Sequence, residues 1–574
     1  MTTTSSPPEA ALARGDAFTL EIIRSYLIST VREMAEATKR TAYSTVISEA
    51  LDFTCGLFDR DGNMIAQSEG IPLHAGSLPG GMRALLDAFD DFSEGDVFLL
   101  SDPYIAGLHQ ADVIVARPLF HDGGLFAFGV NRAHWLDIGG MAAGGWAGTA
   151  THVVQEGLRI PPIRLIHAGV VDEPLRALIF SNVRLPVADW ADFQSQVAST
   201  VVAERRIQAL IERYGKETVE RGMASALEYS RTRFRRALDG LPDGEWRAEE
   251  PFEDDGQGGG PYYLRVTLTK REGRIVADFS ESDPQVAAPI NASEITTHSA
   301  AYVACVAALD PDVPLNSGLL EFIEVVTRPG TVAHAVFPAP VFFSTADPCI
   351  KAGETVLKAF AQAIPDRITA GSFQTGNNVT GSGSDAAGRP FQWFSFGPGG
   401  IGARKTADGD SAEWHVMANC KNESAEIWEH RYPLLFEEFS LIPDSCGRGR
   451  FRGGLGLRKR MRMLSRTLIS STADRQELGP WSIDAGERGL ANRYSVVDTE
   501  GRLHALKDYF SLSSNSKFAN LPLQPGEQLV IDSAGGGGHG PIEERDPALL
   551  DRDVEYGYAT RKGWAAPGRR PDDL

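Results

Sequence analysis

Basic residues are scarce in this 574-residue chain. It has 56 lysines and arginines against 76 aspartates and glutamates, which gives a formal net charge of −20. Nucleic acid attracts a basic surface, so this charge argues against nucleic acid as a partner. The sequence also lacks any apolar run near the roughly twenty residues that a membrane helix needs. Its polar start has no basic-then-apolar signal pattern, and we therefore expect a cytoplasmic protein without a membrane partner.

Cysteine is rare as well. Five cysteines occur singly, at positions 55, 305, 349, 420 and 446. Their odd number and wide spacing exclude a disulfide framework, and no Cys-x-x-Cys pair indicates a zinc knuckle. There is no Gly-x-Ser-x-Gly elbow for a serine nucleophile. Residues 397–406 look like a phosphate loop, but the Walker pattern needs glycine at position 404, where this chain has arginine.

Length and hydrophobic periodicity predict a multi-domain protein of mixed α/β (α+β) class, with mixed sheets and long helices. Apolar residues at spacings of three or four predict a long helix over 19–42, a short one over 82–89 and a helical hairpin turning at Gly215. The predicted segments are a flexible tail (1–17), an α/β domain with a metal site (18–185), the helical hairpin (186–240), a second α/β domain (241–371), a glycine-rich β-dominated domain (372–565) and a flexible tail (566–574).

Histidines are concentrated in the N-terminal third, where six of the twelve lie between positions 74 and 167. His109 with Asp112 and His134 with Asp137 form two His-x-x-Asp pairs, and His152 follows. Each lies in loop-like sequence beside a predicted strand. Imidazole nitrogen and carboxylate oxygen are ligands of zinc, manganese and iron. These five residues are therefore candidate ligands for one ion or a close pair, although any one histidine alone is more often a hydrogen-bonded structural residue.

Two further residues are candidates for catalysis. Asp52 stands just before an apolar strand, where it is either an additional bridging carboxylate or a cap of the strand. His74 is either an acid/base near the metal or an ordinary loop histidine. Because neither belongs to a local motif such as His-Glu-x-x-His, any such site has to be assembled by the tertiary fold.

Several runs resemble the hydantoinase B/oxoprolinase family, whose members also include subunits of ketone carboxylases. The matching motifs occur in the family's order and span nearly the whole chain. Its motifs are FTLEIIR at 18–24, LDFTCGLFD at 51–59, DPY at 102–104, HQAD at 109–112, NRAH at 131–134, QEGLRIPP at 155–162, PIN at 289–291, PLN at 314–316, FRGGLG at 451–456, ADR at 473–475 and GGGG at 535–538.

The resemblance implies the metal-bearing subunit of an ATP-dependent cyclic-amide hydrolase acting on a hydantoin, N-methylhydantoin, 5-oxoproline or lactam ring. It implies a hydantoinase A-like ATPase partner in a hetero-oligomer. That partner would bind ATP with magnesium and phosphorylate the substrate carbonyl, which would account for the missing phosphate loop. Metal-bound water would then attack the activated carbonyl. The expected metal is zinc or manganese, with iron also open.

Two alternatives remain at this stage. The first, also implied by the resemblance, is ATP-dependent carboxylation of a ketone such as acetone or acetophenone at the same site. In ketone carboxylases a His-x-x-Asp pair and a later histidine hold the metal, and His134, Asp137 and His152 match that pattern with a different gap. The second alternative is a non-enzymatic scaffold protein whose histidines are structural.

Overall fold

The computed structural model describes residues 9–565, and for residues 9–15 the backbone alone. Helix α1 (Glu9–Thr41) begins well before residue 19, so part of the predicted N-terminal tail is helical. The rest of that tail and the predicted tail over 566–574 lie outside the described residues. No helix within residues 9–565 is both long and apolar enough to cross a membrane.

A seven-stranded antiparallel sheet dominates the N-terminal third, in the order β2-β1-β5-β4-β3-β6-β7. Helices α1, α6 and α7 cover one face, with Ile23, Leu57 and Ile207 in their shared core. Helix α3 covers the other face, where Leu78 and Met82 pack on Phe98. The elements are β1 (Phe53–Asp59), β2 (Met64–Gln67), β3 (Val97–Leu100), β4 (Asp112–His121), β5 (Gly124–His134), β6 (Ile163–His167), β7 (Val170–Val171), α2 (Thr45–Ser48), α3 (Pro72–Ala88), α4 (Pro103–Ala106), α5 (Glu173–Phe180), α6 (Pro186–Tyr214) and α7 (Lys216–Asp239).

The middle of the chain forms a four-stranded sheet in the order β11-β10-β9-β8. Strands β10 and β11 are parallel, whereas the hairpins on either side of β9 are antiparallel. Helices α8 and α9 pack together over this sheet through a large apolar core. The elements are β8 (Gly244–Phe252), β9 (Tyr262–Arg271), β10 (Arg274–Asp278), β11 (Ile323–Val326), α8 (Glu294–Leu309) and α9 (Pro348–Ala363).

Two further sheets form the C-terminal part, in the orders β13-β12-β16-β19 and β14-β15-β20-β17-β18. With four sheets among the described residues and helices packed on them, the architecture is mixed α/β, which confirms the predicted class. The elements are β12 (Asn378–Ser384), β13 (Pro390–Ser395), β14 (Leu434–Leu441), β15 (Leu457–Met463), β16 (Thr467–Thr472), β17 (Arg493–Val497), β18 (Leu503–Ala505), β19 (Phe518–Leu523), β20 (Gln528–Asp532), α10 (Ala425–Arg431), α11 (Leu506–Phe510), α12 (Pro547–Glu555) and α13 (Arg561–Ala565).

The glycine-rich segments of this part form a bundle of closely packed backbones. Gly454 N donates to Ile401 O at 2.7 Å, and Gly536 N donates to Gly454 O at 3.0 Å. A Cβ atom on Gly454 would lie 1.8 Å from Asp410 O, so only glycine fits there. Residues 397–406, the run that looks like a phosphate loop, are part of this bundle.

Candidate metal centre

The ends of β4 and β5 bring together the core of the candidate centre. Asp112 begins β4, His134 ends β5, and the two are cross-strand partners. His109 precedes Asp112 by one tight turn, closed by a hydrogen bond from Asp112 N to His109 O. Asp112 Oδ1 lies 3.4 Å from His134 Nδ1, and Asp112 Oδ2 lies 3.4 Å from His109 Nδ1. One ligand atom from each of the three residues lies within 4.8 Å of the other two.

His74 and Asp52, the two candidates for catalysis, join the same cluster. His74 lies in the first turn of α3, and its Nε2 is 3.3 Å from Asp112 Oδ1 and 3.6 Å from Asp52 Oδ1. Asp52 lies just before β1, with its Oδ2 3.9 Å from His134 Nδ1. The cluster therefore contains three imidazoles and two carboxylates, drawn from four separate elements of the chain.

Burial and missing hydrogen bonds show that this donor set fits a cation. All five side chains are buried. Within the described chain, both carboxylate oxygens of Asp112 and the Nδ1 atoms of His74 and His109 are buried without a hydrogen-bond partner. Buried polar atoms are nearly always partnered, so the unpartnered atoms of His109 and Asp112, which lie 3.4 Å apart, call for a ligand between them. Mixed imidazole and carboxylate ligands suit zinc, manganese or iron.

The electrostatics of the cluster favour the forms of these side chains that bind metals. Burial lowers the pKa of His109 to about 3, which leaves its ring neutral with a free lone pair. Burial alone would raise the pKa of Asp112, but the neighbouring imidazoles of His109 and His74 hold it well below its usual value. Asp52 differs, because burial raises its pKa despite the histidines nearby.

Aromatic rings pack against the imidazoles of His109 and His134 and hold their orientation. The His109 ring stacks on Phe342 with centroids 4.5 Å apart, and the His134 ring stacks on Phe394 at 5.1 Å. The Trp146 ring lies between these two phenylalanines, with centroid distances of 5.3 Å to Phe342 and 4.8 Å to Phe394. The cavity in front of the cluster, here called the metal cavity, measures about 50 Å³. It has room for an ion and a few water molecules.

Arg132 supports the loop that carries His109 and Asp112. Its buried guanidinium donates to Asp112 O at 3.2 Å, to Ala106 O at 3.0 Å and to Gly107 O at 2.9 Å. Burial lowers the pKa of Arg132 to about 10, so the group stays charged near neutrality. No spacing pattern predicts this role, although Arg132 lies in the NRAH run at 131–134 that resembles the family.

Asp137 and His152, predicted as ligands, lie outside the cluster. The Asp137 carboxylate accepts hydrogen bonds from Gly144 N at 2.9 Å and Arg184 N at 2.7 Å, and it pairs with the Arg184 guanidinium at 3.1 Å. His152 Nδ1 accepts a hydrogen bond from Val154 N at the start of a short 3₁₀ helix. Local structure thus uses the Asp137 carboxylate and the Nδ1 atom of His152. In space, the pattern of a His-x-x-Asp pair and a later histidine is formed by His109, Asp112 and His134.

A second group of cavity residues comes from the C-terminal half. His415, Met417 and Cys420 line the metal cavity together with Trp414. Burial lowers the pKa of His415 to about 3, and its Nδ1 accepts a hydrogen bond from Met417 N at 3.1 Å. These residues could not be found from the sequence, because an isolated histidine carries no spacing signal.

The fold and the site together define the class of protein to which the chain belongs. Residues 16–542 match the Hydantoinase B/oxoprolinase family. The match spans most of the chain, so this protein is a member of that family, and the resemblance noted in the sequence is confirmed.

Two relatives that align along almost their full length give more detail. The chain is 30% identical to the B component of a putative D-/L-hydantoinase from a Pseudomonas species, over 96% of this chain and 94% of that protein. It is also 30% identical to the beta chain of the caprolactamase of Pseudomonas jessenii, over 96% and 95%.

Two solved structures share the fold. The crystal structure of the ATP-dependent caprolactamase from Pseudomonas jessenii matches with a TM-score of 0.88 and 27% identity, covering 95% of each chain. Nucleotide-free acetone carboxylase matches with a TM-score of 0.86 over 96% of this chain and 79% of that chain. Its identity of 17% shows a shared fold alone.

Proposed function

We propose that this chain is the metal-bearing catalytic subunit of an ATP-dependent cyclic-amide hydrolase. The observation that carries the proposal is the buried convergence of His109, Asp112 and His134, in which His109 Nδ1 and both carboxylate oxygens of Asp112 have no hydrogen-bond partner within the described chain. Support also comes from relatives named as components of a hydantoinase and a caprolactamase, which align along nearly the whole chain. Hydantoins and lactams are both cyclic amides, and ring opening in each breaks a carbon–nitrogen bond.

We assign ion binding to His109, Asp112 and His134, with Asp52 as the next carboxylate within reach. Three protein ligands and an open position are the usual arrangement of catalytic zinc. When bound, zinc or manganese polarises a carbonyl oxygen and lowers the pKa of water. The aromatic rings behind the histidines hold the ligands in place and exclude bulk water.

His74 is assigned to proton transfer. Its Nε2 faces the carboxylates of Asp112 and Asp52, and its Nδ1 has no hydrogen-bond partner in the described chain. A carboxylate behind an imidazole orients the ring and stabilises its protonated form. The imidazole can therefore take a proton from the attacking water and give it to the amide nitrogen of the substrate as the carbon–nitrogen bond breaks.

The ATP-dependent step is assigned to a partner. Residues 397–406, the run that looks like a phosphate loop, lie in the glycine bundle and bind their neighbours through backbone hydrogen bonds. A hydantoinase A-like ATPase that binds ATP with magnesium would phosphorylate the carbonyl. Water would attack the activated cyclic amide in the metal cavity and break its carbon–nitrogen bond, and a second water would release the phosphoryl group as inorganic phosphate. The two proteins would form a hetero-oligomer.

The test uses the complex of this chain with its ATPase partner. We expect about one transition-metal ion per chain and ATP-dependent opening of a hydantoin or lactam ring. The variant His109→Ala should assemble but lose metal and ring opening, whereas the matched control His152→Ala should retain both. Absence of stoichiometric metal would overturn the proposal. Incorporation of labelled bicarbonate into an acid product would replace hydrolysis with the carboxylase alternative.

A further inference from the structure

One wall of the metal cavity is a single irregular segment. This segment, residues 413–422, is here called the strap, and it contains neither helix nor regular strand. It begins at the bridge between Glu413 and Gly399 and ends beside the buried ion pair of Glu423 with Lys459, 2.7 Å apart. The other walls are formed by the ends of β4 and β5 and by α3, α9 and β13.

Side chains of the strap face two ways. His415 and Met417 are buried and line the metal cavity. Val416, which lies between these two in sequence, and Asn419, which follows them, line an outer hollow of about 580 Å³ instead. This alternation means that the strap is one residue thick, with the metal cavity on one side and open space on the other.

The outer space forms a groove along α1. The first hollow is largely aliphatic, with Leu27 and Ile28 of α1 facing Val303 and Val306 of α8. A second hollow of about 630 Å³ adjoins it, and the two share Arg32, Glu69, Gly70 and Asn419. Trp414 and Cys420 line both the second hollow and the metal cavity. Trp414 and Cys420 therefore form part of the wall between the groove and the metal cavity.

Between its anchored ends the strap has few hydrogen bonds to neighbouring elements, and its buried side chains Trp414 and Met417 pack into apolar cores. Within the described chain, hydrogen bonds tie it to neighbouring elements at three places: Leu73 N to Met417 O at 3.2 Å, Asn419 Nδ2 to Glu69 O at 3.2 Å and Lys421 N to Ala50 O at 2.9 Å. A segment with few hydrogen bonds and one exposed face opens at lower cost than a packed sheet or helix.

We propose that the groove is a vestibule that binds the cyclic substrate, and that the substrate crosses the strap to reach the metal cavity. This inference rests on the proposed function. The metal cavity, at about 50 Å³, has room for an ion and a few water molecules but not for a five- to seven-membered ring beside them. The groove has the size of a small-molecule site, and its aliphatic lining suits the methylene groups of a lactam. We place the point of entry at Trp414 and Cys420, because these two residues line both spaces.

The first experiment measures binding in the vestibule through Cys420, which is partly exposed, while Cys55, Cys305, Cys349 and Cys446 are buried. Iodoacetamide should alkylate Cys420 first, and ε-caprolactam at saturating concentration should slow that reaction at least about threefold. The variant Cys420→Ala gives the background from the buried thiols. An alkylation rate that caprolactam does not change would overturn the vestibule.

The second experiment locks the strap. The contact of Asn419 with Glu69 makes Glu69→Cys with Asn419→Cys a suitable pair, in a Cys420→Ala background. Oxidation of the double variant should slow removal of zinc by a chelator at least about tenfold and should reduce ring opening by the complex to a similar extent. Reductant should reverse both effects, and oxidation should change neither single-cysteine control.

These outcomes separate the inference from the proposed function. Equal rates of zinc release in the oxidised and reduced double variant would overturn the strap as the route of entry, even if the enzyme is active. A protein that holds no transition-metal ion at all would overturn the proposed function. In that case the alkylation experiment still tests the vestibule, because it does not depend on a metal.

Discussion

Asp112 and His134 are cross-strand partners at the ends of β4 and β5, and their side chains meet with 3.4 Å between Asp112 Oδ1 and His134 Nδ1. Side chains of directly paired residues lie on the same face of a sheet. A slip of one residue in this ladder would turn one of the two to the opposite face. The register of the sheet therefore holds the candidate ligands together.

This geometry predicts an order among the carboxylate variants. Asp112 faces all three histidines, whereas Asp52 lies at longer distances from two of them. We expect Asp112→Asn to lower zinc affinity at least about 100-fold and Asp52→Asn to have a smaller effect. Competition with a chelator measures both affinities. A greater loss in Asp52→Asn than in Asp112→Asn would contradict the assignment of Asp112 as the central carboxylate.

Much of the helical fold could be predicted from the sequence, and the early start of helix α3 is an exception that has a physical cause. Long apolar stripes and Gly215 predict the hairpin of α6 and α7 almost to the residue. The predicted start of this helix is Met82, because Gly76 and Pro79 disfavour a helix before that point. In the structure α3 starts ten residues earlier, at Pro72. Glycine is needed there, since a Cβ atom on Gly76 would lie 2.4 Å from Ser299 Oγ of α8.

Five of the seven candidate site residues lie in the cluster, and spacing alone could not show that Asp137 and His152 lie outside it. Spacing identifies His-x-x-Asp pairs, but it does not show which way a carboxylate points. Asp137 turns toward Arg184 and backbone N–H groups of its own loop, whereas Asp112 turns toward three imidazoles. The aromatic wall comes from residues such as Phe342 and Phe394, which are remote in sequence from the histidines and carry no periodic signal.

The stack of Phe342 on His109 predicts a supporting role for an apolar residue. We expect Phe342→Leu to lower zinc affinity about tenfold, because the His109 ring loses the surface that fixes its orientation. Chelator competition gives the affinity, and thermal unfolding of the metal-free protein shows whether stability changes as well. Phe337→Leu is the matched control, since that exposed ring packs edge-on against His152 outside the cluster. Equal affinities in the two variants would contradict the role of the stack.

Glu156 predicts a pH dependence of stability. Burial raises its pKa to about 8 from its usual 4.5, although Val341 N and Phe342 N donate to its carboxylate. Between pH 4.5 and 8 the folded protein keeps a proton that the unfolded chain has lost. Stability therefore falls as the pH rises through this window, by up to about 1.4 kcal/mol per pH unit from this group.

The variant Glu156→Gln removes that titration. Relative to the wild type, its free energy of unfolding should increase by a few kcal/mol between pH 5 and pH 8. Urea unfolding at pH 5, 6.5 and 8 measures the difference, and Glu500→Gln at an exposed position is the control. A difference between Glu156→Gln and wild type that stays constant with pH would show that Glu156 is ionised in the folded protein throughout.

The glycine bundle predicts a severe effect from the smallest of substitutions. The Cβ atom of Gly454→Ala would lie 1.8 Å from Asp410 O and 2.9 Å from Ile401 N, and both are backbone atoms that no side-chain rotation can move. We expect a loss of about 3 kcal/mol or more in unfolding free energy, at or beyond the upper end for overpacked sites. Gly124→Ala is the matched control, because the nearest atom to its Cβ is His121 O at 3.7 Å. If urea unfolding gave the same stability for both variants, the backbones of the bundle would have to lie further apart than the structure places them.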